Sequence, residues 1–536
     1  MKSKDAFAQN AKISESPTLP GTEKKKSGNR FDLQEFLSGP LSPQKSAEGK
    51  SNIRPRLDEK LRQAYFWITN YAIISPFYDI EYHDAPAQSI AFDNGRTKVT
   101  LPTAQSYSSF VLMPLLNLVT RRRLLFIGGP GRGKTASAIL MGVLAGYSIK
   151  EIKRAIQHGQ PQMTISDLLG NPLPSDLMNA KSMDEIKIAW RKWLGMRVKI
   201  IDEYNRIPTR TQSALLTVMA DNYAEIMDQI FECPEAAWYL TANDDAGGGT
   251  YAVIEALRDR IDVVVKALHF NTRFIGDLLR RIEAGAKPEE MVPSEIIFTK
   301  EEIDEVYSEL MEIEVPEPLM RRLEFFTSQF EFYNAGAEQI EYQTKDTVKI
   351  SGLDFRMLEN DTGGNDRLAD IGDQTRNGLS VRAIMTTLAF LKALSYFRGE
   401  STATLDDMRQ ILPFVLHDKL VQNPDSPFFE QPGNQVYRVD RVSWIRKLFD
   451  MSNAEYDRLN RDKHDTLRNL EAIFEKGLVD VPEKEASGMI SKIEAALHEI
   501  AKGKKIYGPQ FDDILKLKYL HQRYTNYLNW LKASGG

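Results

Sequence analysis

LLFIGGPGRGKTASAILMGVLAG, residues 124–146, decides the fold. Leu124 to Ile127 read as a short buried strand. Gly128, Gly129, Pro130, Gly131, Arg132, Gly133, Lys134 and Thr135 form a glycine-rich octet, and Ala136 opens an apolar run at helical spacing. A strand, a Gly-x-x-x-x-Gly-Lys-Thr loop and a helix in that order make a phosphate-binding loop. Glycines let backbone N–H groups approach phosphate oxygens. The helix N-terminus adds a favourable potential, and a lysine adds a full positive charge.

The chain around this loop alternates between strand and helix. RVKIID (197–202) reads as a strand, RTQSALLTVMADN (210–222) as a helix and AAWYLTAN (236–243) as a strand. Such alternation predicts a parallel sheet covered on both faces, hence an α/β core. The strand ends carry the chemistry. Asp202 and Glu203 follow the second strand, at the carboxyl edge where open α/β sheets bind ligands. With Thr135, Asp202 is expected to hold Mg²⁺, and Glu203 to orient and polarise an attacking water. Asn243 ends the third strand and is expected to help hold that water, although an asparagine before Asp244 and Asp245 also suits a turn. The expected ligands are ATP and Mg²⁺, with residues 128–136 around the phosphates.

The remaining sequence sets boundaries. Its 536 residues exceed one ordinary core, and a net charge of −5 argues against a protein built to coat nucleic acid. The basic run Arg121-Arg122-Arg123 leaves a local patch open. The single cysteine, Cys233, fits a reducing compartment, and the seven histidines show no zinc spacing. No secretory signal follows the first residues, and the longest apolar stretch, residues 110–119, is interrupted by Pro114 and Asn117. A cytoplasmic protein without membrane insertion is expected.

Residues 1–50, rich in Ser, Lys, Gly and Pro, are expected to be disordered, with residues 31–37 a candidate docking helix. Residues 51–109 form an N-terminal segment of unassigned role, with a helix from Leu57 and short strands near 78–101. The ATPase core is expected over 110–269 and a helical lid over 270–420, interrupted near 333–377 by an insertion in which QIEYQTKDTVKISG suggests a hairpin. Residues 421–536 read as a helical C-terminal extension.

Together these motifs resemble the MoxR family of AAA+ ATPases. The resemblance rests mainly on Asp202-Glu203-Tyr204-Asn205-Arg206-Ile207-Pro208 and Thr211-Gln212-Ser213-Ala214-Leu215-Leu216, with Tyr204 replacing an aliphatic residue. Residues 160–170 are similar to the family's insert in the second helix, and residues 223–234 to its hairpin before the sensor strand. Glu255-Ala256-Leu257-Arg258-Asp259-Arg260 resembles the arginine-finger segment, which makes Arg260 the finger and Arg258 the alternative. Ile254 and Ile261 depart from the family pattern there. Gly378-Leu379-Ser380-Val381-Arg382-Ala383 resembles the second sensor, so Arg382 is expected at the γ-phosphate; His417-Asp418-Lys419-Leu420 resembles the motif that closes the lid.

The resemblance implies a homo-oligomeric ring, a hexamer in the family's pattern, with a finger delivered in trans. It also implies a chaperone-like remodeller with a von Willebrand factor A domain partner and a client protein. A nucleic-acid-stimulated motor and a nucleotide-gated scaffold with little turnover are the competing expectations.

Overall fold

The computed structural model describes residues 56–82, 88–92, 98–179, 185–243, 255–354, 357–358, 370–463, 465–479, 481–503 and 506–534. The expected tail at 1–50, its docking helix, the turn after Asn243 and part of the 333–377 insertion lie outside these residues.

Five strands build the central sheet: β1 (Arg123–Ile127), β2 (Gln157–His158), β3 (Val198–Asp202), β4 (Ala237–Ala242) and β5 (Val263–Lys266). Their order is β5-β1-β4-β3-β2, and every pairing is parallel. The inner strands are near-continuous apolar runs, as a sheet buried on both faces requires. The sequence skips a place between β1 and β3, and β4 later fills it. The carboxyl ends of β1, β4 and β3 therefore stand side by side at a topological switch point.

Four helices of the core matter most. α1 (Ser109–Thr120) lies buried on the sheet, where Asn117 donates to the Trp238 carbonyl (3.0 Å) and Tyr239 to that of Pro114 (2.8 Å). α2 (Lys134–Leu144) leaves the glycine loop, α3 (Thr209–Asp221) follows β3, and α4 (Glu255–Arg260) precedes β5. Tyr204, the departure from an aliphatic residue, packs within the core with Trp193, Leu215 and Trp238 and fills the same role. The expected hairpin before the sensor strand is present as Tyr223–Ile226 paired with Gln229–Glu232. Residues 160–170 give a short capped helix, Ile165–Leu169, leading into a second hairpin.

Beyond the sheet the chain is helical, with α5 (Lys300–Glu312), α6 (Glu317–Thr327), α7 (Val381–Arg398) and α8 (Leu405–Val415), all within residues 270–420, where the lid is expected. Two findings depart from the sequence reading. The expected hairpin at 339–352 is instead a short 3-10 turn and a helix, Lys345–Ser351. Thr344 caps that helix by accepting from the Thr347 N–H, and Gly352 ends it in the left-handed conformation. Its buried Lys345 ammonium donates to the Gly372 carbonyl and the Thr375 hydroxyl, both at 2.7 Å, so the segment is packed into the lid.

The extension is also not wholly separate. Helix Arg441–Arg458 buries Trp444, Ile445, Leu448 and Phe449, and Trp444 donates to Gln374 in the lid. Only the last three helices, Thr466–Phe474, Glu483–Ala501 and Gly508–Ser534, share a small core of their own, around Leu470, Ile493 and Leu520. The N-terminal segment is integrated as well. Its helix, Leu57–Trp67, is joined to the lid by the Lys60–Glu302 ion pair (2.7 Å) and by Arg62 donating to the Phe397 carbonyl (2.9 Å).

Candidate active site

The glycine loop joins β1 to α2. Gly131 (φ 72°) and Gly133 (φ 77°) hold left-handed backbone, and no atom lies within 4 Å of where a Cβ would stand on either. The loop is thus an open cradle that a side chain would fill. Gly128 is different: a Cβ there would meet the Ala267 carbonyl at 2.7 Å, so close packing against the end of β5 requires glycine. Arg132 braces the same contact by donating to the Ala267 carbonyl (3.2 Å).

Lys134, the first residue of α2, is buried. Its ammonium donates to the carbonyls of Gly128 and Gly129 (the latter at 2.8 Å) and to Asn243 Oδ1 (2.8 Å). A buried cation needs anionic or carbonyl partners. Here the partners are the loop's own carbonyls, which a bound phosphate would replace.

Behind Lys134 the strand ends form one hydrogen-bonded chain. Thr135 Oγ1 donates to Asp202 Oδ1 (2.7 Å), and Thr241 Oγ1 donates to the same oxygen (2.6 Å). The Thr241 hydroxyl in turn accepts from the Glu203 N–H (2.9 Å). Glu203 has φ 55°, a strained value for a side-chain-bearing residue that survives where surrounding bonds over-determine it. Its carboxylate accepts from Asn243 Nδ2 (2.8 Å) and pairs with Arg206 Nε (3.2 Å). His158 Nδ1 lies 3.3 Å from Asp202 Oδ2 at the end of β2.

The structure therefore brings together Lys134, Thr135, Asp202, Glu203 and Asn243. Sequence reasoning missed three of their neighbours. Thr241 stands two residues before Asn243, hence on the same face of β4, which is the signal that could have found it. Arg206 is three residues past Glu203. His158 sits on a two-residue strand that leaves no periodicity to read.

The two finger candidates and the second-sensor candidate gather elsewhere, around α4. Arg258 is exposed and Arg260 half-buried. Arg382, at the start of α7, is hydrogen bonded to Asp259 rather than to the loop, and Ser380 Oγ lies 3.4 Å from the same carboxylate. Lys419 donates to the Asp259 backbone carbonyl (2.7 Å). Burial would push the Asp418 carboxyl up, but the His417 hydrogen bond and the nearby Arg441 and Arg258 charges hold it below the usual carboxylate range. The residues at 417–420 thus fasten the lid to α4.

A cavity of about 490 Å³ opens beside the loop. Gly131, Gly133 and Ala136 line one side; residues 72–77 of the N-terminal segment and residues 266–270 after β5 line the other. Within that wall Phe77 and His269 pack against each other with ring centroids 5.2 Å apart. Its place next to the cradle suits the base and sugar of a nucleotide. A larger cavity, about 1270 Å³, lies between lid and C-terminal helices and touches none of these groups.

The donor set fits a nucleoside triphosphate with a magnesium ion: an open backbone cradle, a buried lysine resting on the loop's own carbonyls, and a hydroxyl and a carboxylate converging from α2 and β3.

Residues 123–263 match the ATPase family associated with various cellular activities (AAA), and residues 369–438 match the AAA lid domain. The chain therefore has an AAA ATPase core, with the nucleotide binding and ATPase activity that belong to it, and an AAA lid. No curated protein matches the chain. Among solved structures it is similar to a protein from Cytophaga hutchinsonii described as a "putative ATPase", at 17% identity and a TM-score of 0.45, over 63% of this chain and 89% of that one. A likeness that loose bears on neither fold nor function.

Proposed function

We propose that this AAA-type ATPase is a remodeller of MoxR type, which couples ATP hydrolysis in a homo-oligomeric ring to work on a client protein. One observation carries the catalytic part: the unbroken chain Lys134–Asn243–Glu203–Thr241–Asp202–Thr135, drawn from two adjacent strand ends and the helix that leaves the loop. Lys134 and the backbone N–H groups of 131–135 would grip the β- and γ-phosphates. Thr135 and Asp202 would hold magnesium, which supplies charge neutralisation on the phosphate oxygens. Glu203, fixed by Thr241 and Asn243, would orient water in line with the γ-phosphate.

The arginines gathered at α4 support completion of the site by a second copy. Arg258 or Arg260 would enter a neighbour's site and stabilise charge on the transferring group. Arg382 would reach a γ-phosphate only after its pair with Asp259 opens. The likeness to MoxR proteins supports a von Willebrand factor A domain partner, a ring of six and a cytoplasmic setting. The nucleic-acid motor is less well supported, because Arg121 is spent on Glu235 and Asp304, and Arg123 on Asp262. A low basal rate has one observation in its favour: both oxygens of Glu203 are engaged.

Glu203→Gln tests the proposal. It should bind ATP, stall in the assembled state and retain partner and client on an affinity column. Turnover at the wild-type rate would remove Glu203 from its role.

A further inference from the structure

The helix Ile275–Glu283, just after β5, is strongly amphipathic, yet none of its residues is buried. Ile275 is 45% exposed, Leu279 52% and Ile282 64%, with Phe274 preceding them in the chain. Taking ~200 Å² for a large side chain, these four leave roughly 400 Å² of apolar surface in water, within the range of the largest patch a monomer keeps exposed. The helix is tied to the nucleotide cavity. Leu278 lines that cavity, and Arg281 donates to the Ala72 carbonyl (2.9 Å) in its wall.

A second unpartnered stripe lies at the start of α7. Val381 is 73% exposed and Met385 54%, with Ile384 and Leu388 half-buried at the same helical spacing. Arg382, between Val381 and Met385, holds Asp259, so this stripe flanks the finger helix α4. One apolar stripe thus borders the cavity that receives the nucleotide. The other borders the arginines that a shared site must bring to a neighbouring cavity.

We infer that these two stripes are the two sides of one head-to-tail junction between copies of this chain: Ile275, Leu279 and Ile282 of one copy cover Val381 and Met385 of the next. This rests on the shared-site reading above, because only a neighbour that delivers Arg258 or Arg260 to the cavity must also cover the helix at its rim. A standard interface takes roughly 800 Å² from each partner, so the roughly 400 Å² stripe is about half of one side. The two stripes lie on different parts of the chain, so the junction is heterologous and propagates from copy to copy.

The test uses the full chain with Mg²⁺ and a non-hydrolysable ATP analogue, with mass measured by sedimentation across a concentration series. Ile282→Asp and Met385→Asp each place a charge on one stripe only. Each should move the assembly midpoint at least about tenfold to higher concentration, as for the loss of a central apolar contact, while the analogue's Kd stays within about threefold of wild type. Mixing the two variants should give a two-chain species, because each such pair retains one intact junction. In a second measurement, Ile282→Cys mixed with Met385→Cys should cross-link to heterodimers under a short bismaleimide, and neither should cross-link alone.

Wild-type assembly midpoints in both aspartate variants, or cross-links from Ile282→Cys alone, would overturn the junction and leave the shared site standing. A wild-type chain that turns over ATP as a monomer at every concentration would overturn both.

Discussion

Thr241→Val removes one hydroxyl from the centre of the site. That hydroxyl donates to Asp202 Oδ1 at 2.6 Å and accepts from the Glu203 N–H at 2.9 Å. Thr241 is almost fully buried in β4, so water cannot replace either bond. The lost bond to a carboxylate is worth about 1.5–3 kcal/mol, and an unpartnered buried N–H costs about 1–3 kcal/mol. The extra methyl of valine recovers part of this, about 0.8 kcal/mol. A net loss of about 2–5 kcal/mol is expected. Because both bonds fix the groups that would hold magnesium and water, a similar loss should appear in the transition state, lowering kcat between about 30-fold and a few thousand-fold. Thr241→Ser keeps the hydroxyl and should stay within a few-fold of wild type. Steady-state ATP turnover at saturating Mg-ATP, with urea unfolding of the same preparations, measures both consequences. Turnover by Thr241→Val within threefold of wild type would refute the reasoning that this hydroxyl organises Asp202 and Glu203.

Three other perturbations separate the parts of the account. Gly133→Ala, at φ 77° with no atom within 4 Å of the new methyl, should cost about 1–2 kcal/mol of stability, yet ATP affinity should fall at least tenfold, ~1.4 kcal/mol or more, because the methyl stands in the cradle; calorimetric titration against unfolding shows the split. Asp259→Asn breaks a half-exposed pair with Arg382 and should leave stability within about 1 kcal/mol, while turnover rises severalfold because Arg382 is released toward the γ-phosphate; unchanged turnover would make the pair incidental. Burial pushes the Lys199 ammonium down to about 8 from its ordinary 10.5. Between those values the folded chain binds fewer protons than the unfolded one, so the contribution of Lys199 to stability rises with pH through that window, by about 3 kcal/mol in all. Lys199→Met should remove that rise, so its advantage over wild type in urea unfolding should be greatest near neutral pH and shrink in alkali.

The sequence made the middle of the sheet legible because β1, β3 and β4 are buried runs with motif residues at their ends. The two flanking strands were not. β2 is only two residues long, and the four residues of β5 follow the arginine-rich α4 without a turn signal. The misread segment at 339–352 shows why alternation fails in short stretches. Thr347, Val348, Lys349 and Ile350 alternate like a strand, but Thr344 and Gly352 cap a helix whose buried face is Lys345 and Val348. Motif spacing identified the residues on the loop and on the strand ends. It could not show that Thr241 links Asp202 to Glu203, because a threonine in a β-strand is ordinary by composition. Nor could it show that Arg382 rests on Asp259. That contact joins residues more than a hundred positions apart and depends on how the lid sits against α4.

The central claim is that a working site takes its loop from one copy and its arginine from another. It is tested most directly by ATP turnover in a mixture of two inactive proteins, Lys134→Ala and the double variant Arg258→Ala/Arg260→Ala. In the mixture, an intact loop from the second protein meets intact arginines from the first. Turnover should reappear and depend on the mixing ratio. Co-assembly of the two proteins without any recovered turnover would contradict the claim.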